Sequence, residues 1–359
     1  MRAFTRRGYL QSSLGALAAR SGLAASREPG ARGMQLTEVF APGPGQHARM
    51  RLAVQTGLNY AIATVAGRLS KIPRNQYLDT LAAIQNEFAA HGLKIAGVES
   101  DPVPTGKIKL GLDGRDEEIE NYIAAIEALG KLGIPLICWN FMAGLGWYRT
   151  NFEVRERGGA LTSEFRYEDA QKQGLTQWGE VPEEKLWDNI TYFLKAVIPV
   201  AEKAGVRMAL HPDDPPISPL RGIARIATSA ANYRRILNIV PSPVHGITFC
   251  QANFKAMGED IYSLAETFCR EGKVFFVHYR DIEGQGRYFR ETFHDNGPTD
   301  MVRMLQIYHD AGFRGPIRPD HAPTMEGESN DNPGYAMIGK VLAFGYMKGI
   351  MEARGIPYE

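Results

Sequence analysis

Four side chains able to bind a metal ion stand at the ends of four successive apolar segments. The segments are VRMALHP, GITFC, KVFFVHYR and GPIRPDH, and the side chains are His211, Cys250, His278 and Asp320. Two imidazoles, a thiolate and a carboxylate suit Mn²⁺, Fe²⁺, Co²⁺ or Zn²⁺, whereas Mg²⁺ and Ca²⁺ prefer shells made of oxygen. If the four segment ends meet in space, the sequence predicts a site for one divalent ion of the first group.

Polar residues suited to moving protons or to supporting ligands follow the same segment ends. His321 comes directly after Asp320, and Tyr335 opens the last helical segment after the turn NPG. Carboxylates commonly orient metal-bound histidines, so several of these residues are predicted to lie behind the ligands, with helix capping as the alternative. The predicted supporting residues are Asp213, Asp214, Asp281 and His294.

The elements that must position these residues are visible as eight short apolar runs. Most of the runs lack strict alternation of polar and apolar residues, which is typical of strands buried on both faces. The predicted strands cover residues 34–40, 58–65, 93–100, 134–141, 206–212, 246–250, 273–280 and 315–321.

Segments of helical period separate these predicted strands. In RNQYLDTLAAIQNEFAAHG, the residues Leu78, Leu81, Ile84 and Phe88 recur at spacings of three and four. This spacing predicts an amphipathic helix that buries all four on one face.

Strand–helix alternation repeated eight times predicts an α/β fold of the (β/α)₈ TIM-barrel type, as a single domain over residues 34–359. An open, doubly wound sheet is the alternative, but it would carry a Gly-rich phosphate turn after its first strand, and APGPGQHARM does not match one. In a barrel the carboxyl ends of the strands share one rim, which would bring the four side chains together. A polar and aromatic insertion at about residues 143–181 is expected over that rim, as a lid or as a surface excursion.

Composition excludes several classes of protein. Lys and Arg number 41 against 40 for Asp and Glu, so no basic face for nucleic acid is expected. No apolar run long enough to span a membrane follows residue 30. Three cysteines are too few, and odd in number, for a disulfide scaffold.

The first 30 residues differ from the rest of the chain. The run Thr5-Arg6-Arg7-Gly8-Tyr9-Leu10, followed by a modest apolar stretch, predicts a twin-arginine targeting segment and a periplasmic location. The alternative is an irregular extension on a cytoplasmic protein.

Several motifs, taken together, are similar to those of one enzyme family. They are VESDPVPTGKIKLGLDGRDEEIENY, CWNFM, WYRT, HPDDPP, TFC, VHYRDI, RPDH and PGYAMIGKVLAFGYMKG. The chain thereby resembles the mannonate dehydratases, which belong to the xylose-isomerase-like, metal-dependent TIM barrels. HPDDPP together with RPDH is the most specific part of the resemblance.

The resemblance implies a lyase of hexuronate catabolism that uses Mn²⁺ or Fe²⁺ to dehydrate a small-molecule sugar acid, D-mannonate, to 2-keto-3-deoxy-D-gluconate. It implies the same four metal ligands, with His321 and Tyr335 as the acid and base in an order that stays open. Arg149 and Arg318 are then candidates to hold the substrate, and Asn140 and Trp147 to line its pocket. The oligomeric state, homo-oligomer or monomer, is not readable from the sequence.

Two alternatives remain at this point. A sugar isomerase of the same superfamily is disfavoured because such enzymes use several strand-end carboxylates, and here they are few. A non-catalytic, exported sugar- or metal-binding protein is disfavoured by the presence of His321 and Tyr335. Ala322 after RPDH and Ala252 after TFC depart from the family pattern, so a related sugar acid stays open as the substrate.

Overall fold

Eight parallel strands form a closed barrel in the computed structural model, which describes residues 33–359. In chain order the strands are β1 (Gln35–Phe40), β2 (Tyr60–Ala63), β3 (Lys94–Glu99), β4 (Leu136–Asn140), β5 (Asn151–Arg155), β6 (Leu161–Arg166), β7 (Arg207–His211), β8 (His245–Cys250), β9 (Val274–His278), β10 (Ile282–Gln285), β11 (Tyr288–Glu291) and β12 (Pro316–Arg318). The barrel order is β1-β12-β9-β8-β7-β4-β3-β2, and each of its strands lies within one predicted from the sequence or extends it by a residue. The predicted TIM barrel is confirmed.

Helices follow the barrel strands and cover the outside of the barrel. They are α1 (His47–Gln55), α2 (Ala66–Leu69), α3 (Tyr77–Ala90), α4 (Gly106–Leu110), α5 (Arg115–Lys131), α6 (Tyr167–Lys172), α7 (Glu183–Ala204), α8 (Ala230–Ile239), α9 (Gln251–Ala256), α10 (Ile261–Arg270), α11 (Met301–Asp310) and α12 (Met337–Arg354). In α3 one prediction is wrong: Leu78 is 37% exposed, and Tyr77, which begins the helix, is buried together with Leu81, Ile84 and Phe88.

The register of the barrel places the predicted ligands at one level. Cys250 on β8 pairs with His278 on β9, and His278 lies next to Arg318 on β12. Asn140 on β4 pairs with His211 on β7. Since parallel strands all point the same way, these last strand residues lie at the carboxyl rim.

A second, four-stranded antiparallel sheet accompanies the barrel. Its order is β10-β11-β6-β5, so it joins the segment between β4 and α7 to the segment between β9 and α11. Phe165 on β6 pairs with Phe289 on β11, and both are buried in a small apolar cluster with Ile282 and Ala252. The sequence predicts an insertion at about residues 143–181 but not its strands or the β10–β11 hairpin.

The predicted targeting segment at residues 1–30 lies outside the described residues. Among helices in residues 33–359, none has the length and apolar character needed to cross a membrane.

Candidate active site

A cavity of about 200 Å³ opens at the carboxyl rim of the barrel. Residues at the ends of five barrel strands line it, together with Trp147 from the β4–β5 connection and Tyr335 before α12. Nine predicted residues share this lining: His211, His278, Asp320, His321, Tyr335, Asn140, Trp147, Arg318 and Asp214. The barrel topology therefore brings most of the predicted site residues together around one cavity.

His211, Cys250 and His278 form one cluster of metal-binding groups, in which the two histidines line the cavity and Cys250 is buried beside them. One nitrogen of each histidine and the sulfur of Cys250 all lie within 4.8 Å of one another. The pairing of β8 with β9 sets Cys250 beside His278, and the rings of His211 and His278 lie 4.9 Å apart.

Asp320 stands beside this cluster, not inside it. Its Oδ2 lies 3.5 Å from Nδ1 of His278, while Arg280 and Arg318 each donate to its carboxylate at 2.6 Å. Burial would favour the neutral acid, but Arg318, His321, His278 and Arg280 hold the pKa of Asp320 well below its usual range. Asp320 is thus an ionised carboxylate at the edge of the cluster.

The protonation states of the cluster fit a bound cation. His211 donates its Nδ1 proton to the carbonyl oxygen of Pro212 at 2.7 Å, which leaves Nε2 as the unprotonated nitrogen. Burial lowers the pKa of His211 to about 4 and also lowers that of His278, so both imidazoles are neutral at pH 7. Nδ1 of His278 is buried and has no hydrogen-bond partner among the described residues, an arrangement that a cation would satisfy.

The thiol of Cys250 needs a positive charge before it can ionise. Burial raises its pKa to about 12, and its sulfur lies 3.4 Å from Oδ1 of Asn253. A divalent ion stabilises the thiolate directly, so metal binding here would be coupled to loss of the thiol proton.

A second cluster of metal-binding groups, Glu99, Cys138 and His278, shares one histidine with the first. A guanidinium already supplies positive charge there. Arg318 donates Nη2 to Glu99 at 2.6 Å, and its Nε lies 3.3 Å from Nε2 of His278. The first cluster is therefore the better cation site.

His321 and Tyr335 face each other across one side of the cavity. Nε2 of His321 lies 3.2 Å from the Tyr335 hydroxyl, and the two rings meet edge to face at 5.1 Å. Burial raises the pKa of Tyr335, which keeps the phenol protonated. Gly334 packs against His321, since a Cβ there would lie 3.1 Å from three of its side-chain carbons, and its φ of +85° suits glycine.

The predicted substrate residues divide into two groups. Arg318, Asn140 and Trp147 line the cavity, and Nη1 of Arg318 is buried with no hydrogen-bond partner in the part of the chain that the structure describes. Oδ1 of Asn140 accepts from Nζ of Lys109 and from the amide of Met142, which directs its NH₂ group elsewhere.

Arg149 has a different position. It is 3% exposed, it is not part of the cavity lining, and its guanidinium donates to Asp214 and Glu291. It also lies 5.1 Å from the ring of Trp147, so its contacts are with the cavity wall.

The predicted supporting residues bond to backbone amides and to other polar side chains, and within residues 33–359 none of their carboxylates bonds to a histidine. Asp213 accepts from the amides of Ile226 and Ala227, and Asp281 accepts from Lys255 and Thr299. Asp214 lines the cavity and pairs with Arg149 and Arg280.

His294 supports the site through the backbone. It donates Nε2 to the carbonyl oxygen of Pro319 at 2.7 Å. This bond fixes the main chain immediately before Asp320.

Sequence reasoning missed three charged residues of the site: Glu99, Arg280 and Glu291. Glu99 ends β3 and Arg280 follows β9 by two residues, so the strand-end pattern used for the ligands could have identified both. Glu291 ends β11, and no sequence signal linked that hairpin to the rim.

Comparison with known proteins agrees with this geometry. The profile of the D-mannonate dehydratase family matches residues 59–176 and 163–356. The chain belongs to the mannonate dehydratase family. Mannonate dehydratase 2 of Halalkalibacterium halodurans is 37% identical over 302 residues, which cover 77% of this chain and 87% of the relative. Mannonate dehydratase of Thermotoga petrophila is 35% identical over 326 residues, covering 80% and 90%.

Solved structures share the fold of this chain. The mannonate dehydratase of Streptococcus suis serotype 2 superposes with a TM-score of 0.77 at 29% identity, covering 90% of this chain and 95% of that one. A xylose isomerase domain protein from Planctomyces limnophilus shares the fold, with a TM-score of 0.57 at 14% identity, covering 90% and 99%. Members of the mannonate dehydratase family are hydro-lyases, so this chain is an enzyme of that class.

Proposed function

We propose that the chain removes water from D-mannonate and forms 2-keto-3-deoxy-D-gluconate, using Mn²⁺ or Fe²⁺. The observation that carries the proposal is one cavity lined by His211 and His278, whose ring nitrogens cluster with the sulfur of the buried Cys250, and by the His321–Tyr335 pair. The first offers a site for a cation and the second offers groups that move protons. The family to which the chain belongs supports the substrate.

The proposed metal ligands are His211, Cys250, His278 and Asp320. A divalent cation bound to them would act as a Lewis acid and stabilise the negative charge that develops beside the substrate carboxylate when the C2 proton leaves. Two neutral imidazoles, one thiolate and one carboxylate suit Mn²⁺ or Fe²⁺ and disfavour Mg²⁺.

The buried charges around the cavity also favour a cation. Guanidinium groups in this network number three and carboxylates four: Arg149, Arg280 and Arg318 face Glu99, Asp214, Glu291 and Asp320. A buried excess of negative charge is costly unless a positive group compensates it.

The reaction needs one group to take the C2 proton and one to protonate the departing C3 hydroxyl. His321 and Tyr335 fill these two roles in the proposal. Loss of the C2 proton and the C3 hydroxide gives an enol, with C2 and C3 doubly bonded, and releases water. The enol then takes a proton at C3, loses the proton of its C2 hydroxyl and becomes the 2-keto-3-deoxy acid, so all atoms and charges are accounted for.

Arg318 and Asn140 are proposed to hold the substrate. Nη1 of Arg318 has no hydrogen-bond partner within residues 33–359, although it is buried. A carboxylate or hydroxyl oxygen of a sugar acid would satisfy it. The NH₂ group of Asn140 would provide a second donor, and Trp147 an apolar wall.

The test is an activity panel on protein stripped of metal and reloaded with Mn²⁺ or Fe²⁺. D-mannonate and other aldonic acids are supplied, and 2-keto-3-deoxy products are measured. We expect product from D-mannonate only after reloading. Equal turnover before and after stripping would contradict the metal, and no product from any sugar acid would favour a binding protein.

We also propose that residues 1–30 direct export through the twin-arginine route. The pair Arg6-Arg7 before an apolar stretch supports this. Fractionation of the source cell should find the protein in the periplasm, and the double change Arg6→Lys, Arg7→Lys should retain it in the cytoplasm. Wild-type protein confined to the cytoplasm would contradict export.

A further inference from the structure

Glu291 extends from the four-stranded sheet and contacts His321, a residue of the cavity lining. Its Oε1 lies 2.9 Å from Nδ1 of His321, and the residue is 4% exposed. It ends β11, so this carboxylate reaches the rim from outside the eight barrel strands.

The contact decides which nitrogen of His321 carries a proton. Burial favours the neutral acid at Glu291, but His321, Arg149 and Arg280 outweigh it and lower the pKa of Glu291. An ionised carboxylate only accepts hydrogen bonds, so Nδ1 of His321 must donate. Nε2 is then directed to Tyr335 and the cavity, where it can accept or deliver a proton.

The carboxylate is itself held firmly. Arg149 donates to Oε1 of Glu291 at 2.7 Å, and Nη1 of Arg280 lies 3.3 Å from the same atom. Asp214 anchors both guanidinium groups from the other side. Pairing of β11 with β10 and β6 fixes the backbone, so the position of Glu291 depends on the sheet.

We propose that Glu291 is a positioning residue, which fixes the tautomer and orientation of His321 and makes the four-stranded sheet part of the catalytic unit. This inference rests on the proposed function only in that His321 is taken to move a proton. The same logic operates wherever a carboxylate orients a catalytic imidazole.

The test compares two substitutions of Glu291 in metal-loaded protein. Glu291→Gln keeps an oxygen that can accept from His321, whereas Glu291→Met removes the acceptor at similar length. We expect kcat to fall roughly 100-fold or more in the Met variant, less in the Gln variant, with KM and metal content nearly unchanged. Glu164→Gln is the matched control, because Glu164 is a buried carboxylate on β6 that pairs with Arg166 and Asn151.

A second measurement reads the tautomer directly and does not depend on turnover. Protein labelled with ¹⁵N-histidine is loaded with diamagnetic Zn²⁺, and the His321 signals are assigned by their loss in His321→Asn. We expect a protonated Nδ1 in the wild type and a mixture of tautomers in Glu291→Met. An unprotonated Nδ1 in the wild type, or a Met variant with unchanged kcat, would overturn the inference. Absence of activity in the wild type would instead refute the proposed function.

Discussion

The barrel rim and the four-stranded sheet supply the site in different ways. The rim contributes side chains at strand ends, such as His211 and His278, whose strands are buried and paired in a fixed register. The sheet contributes Glu291 from a short strand with alternating burial, where only every second side chain faces inward. The rim thus presents the proposed ligands, and the sheet contacts His321, one of the proposed proton-transfer groups.

This difference predicts that substitutions of the rim residues abolish activity. The effect of a substitution in the sheet should depend on whether its side chain faces the site or the solvent. A change in the metal cluster should have the largest effect. A change on the outer face of the sheet should have almost none.

The largest effect is expected for Cys250→Ser. The hydroxyl is a far poorer ligand than a thiolate for Mn²⁺ or Fe²⁺ held with two imidazoles. We expect bound metal to fall and kcat/KM to drop about a thousandfold, the size seen when a main electrostatic stabiliser is lost. Metal content by elemental analysis and turnover of D-mannonate provide the measurement.

Cys269→Ser is the control for this change, because Cys269 is buried in α10 away from the cavity lining. If Cys250→Ser keeps full metal content and activity, the sulfur is not a ligand.

The second-largest loss of activity is expected for His321→Asn. It removes a ring that touches both Glu291 and Tyr335. General acid–base groups contribute roughly 10²- to 10⁴-fold, so kcat should fall within that range while metal content is retained. Isotope exchange at C2 of the substrate in D₂O then assigns the role. Exchange that survives in His321→Asn but not in Tyr335→Phe would make Tyr335 the base.

The sequence predicted the rim well and the sheet poorly, for physical reasons. Buried parallel strands leave long apolar runs, so the eight barrel strands and the polar residues after them were visible. β5 and β11 are short. Polar residues separate Phe152 from Val154 in β5 and flank Phe289 in β11, and sequences of this kind resemble loops. The partner of His321 depends on pairing between segments more than 100 residues apart, which one sequence does not reveal.

The buried network between the two regions predicts a smaller, pH-dependent effect. Asp214 joins Arg149 and Arg280, and although burial favours its neutral form, these guanidinium groups lower its pKa below 3.8. Because the pKa of Asp214 is lower in the folded protein than in the unfolded chain, its ionised carboxylate stabilises the fold at neutral pH. This stabilisation is lost as the pH falls from the unfolded pKa through the lower folded pKa. Asp214→Asn should cost about 3–5 kcal/mol of unfolding free energy at pH 7, because two buried guanidinium groups lose a partner.

The difference between wild type and Asp214→Asn should shrink below about pH 4, where the unfolded carboxyl also binds a proton. Denaturant unfolding measured from pH 7 to pH 3 tests this. A difference that stays constant over the whole range would show that the charge of Asp214 is not what stabilises the network.

The smallest effect is expected one residue from Glu291, at Arg290. The two neighbours point to opposite faces of β11, since Arg290 is half-buried and pairs with Glu283, while Glu291 faces the site. The pair with the exposed Glu283 contributes about 0–1 kcal/mol, but Arg290 also lies 3.6 Å from the nearly buried carboxylate of Glu156, so Arg290→Gln should lower the unfolding free energy by roughly 1–2 kcal/mol and leave kcat unchanged. A large loss of kcat in Arg290→Gln would mean that the sheet acts on the site as a whole, through its stability, and that the inward face has no special role. A loss confined to the Glu291 variants would instead locate the effect in one carboxylate.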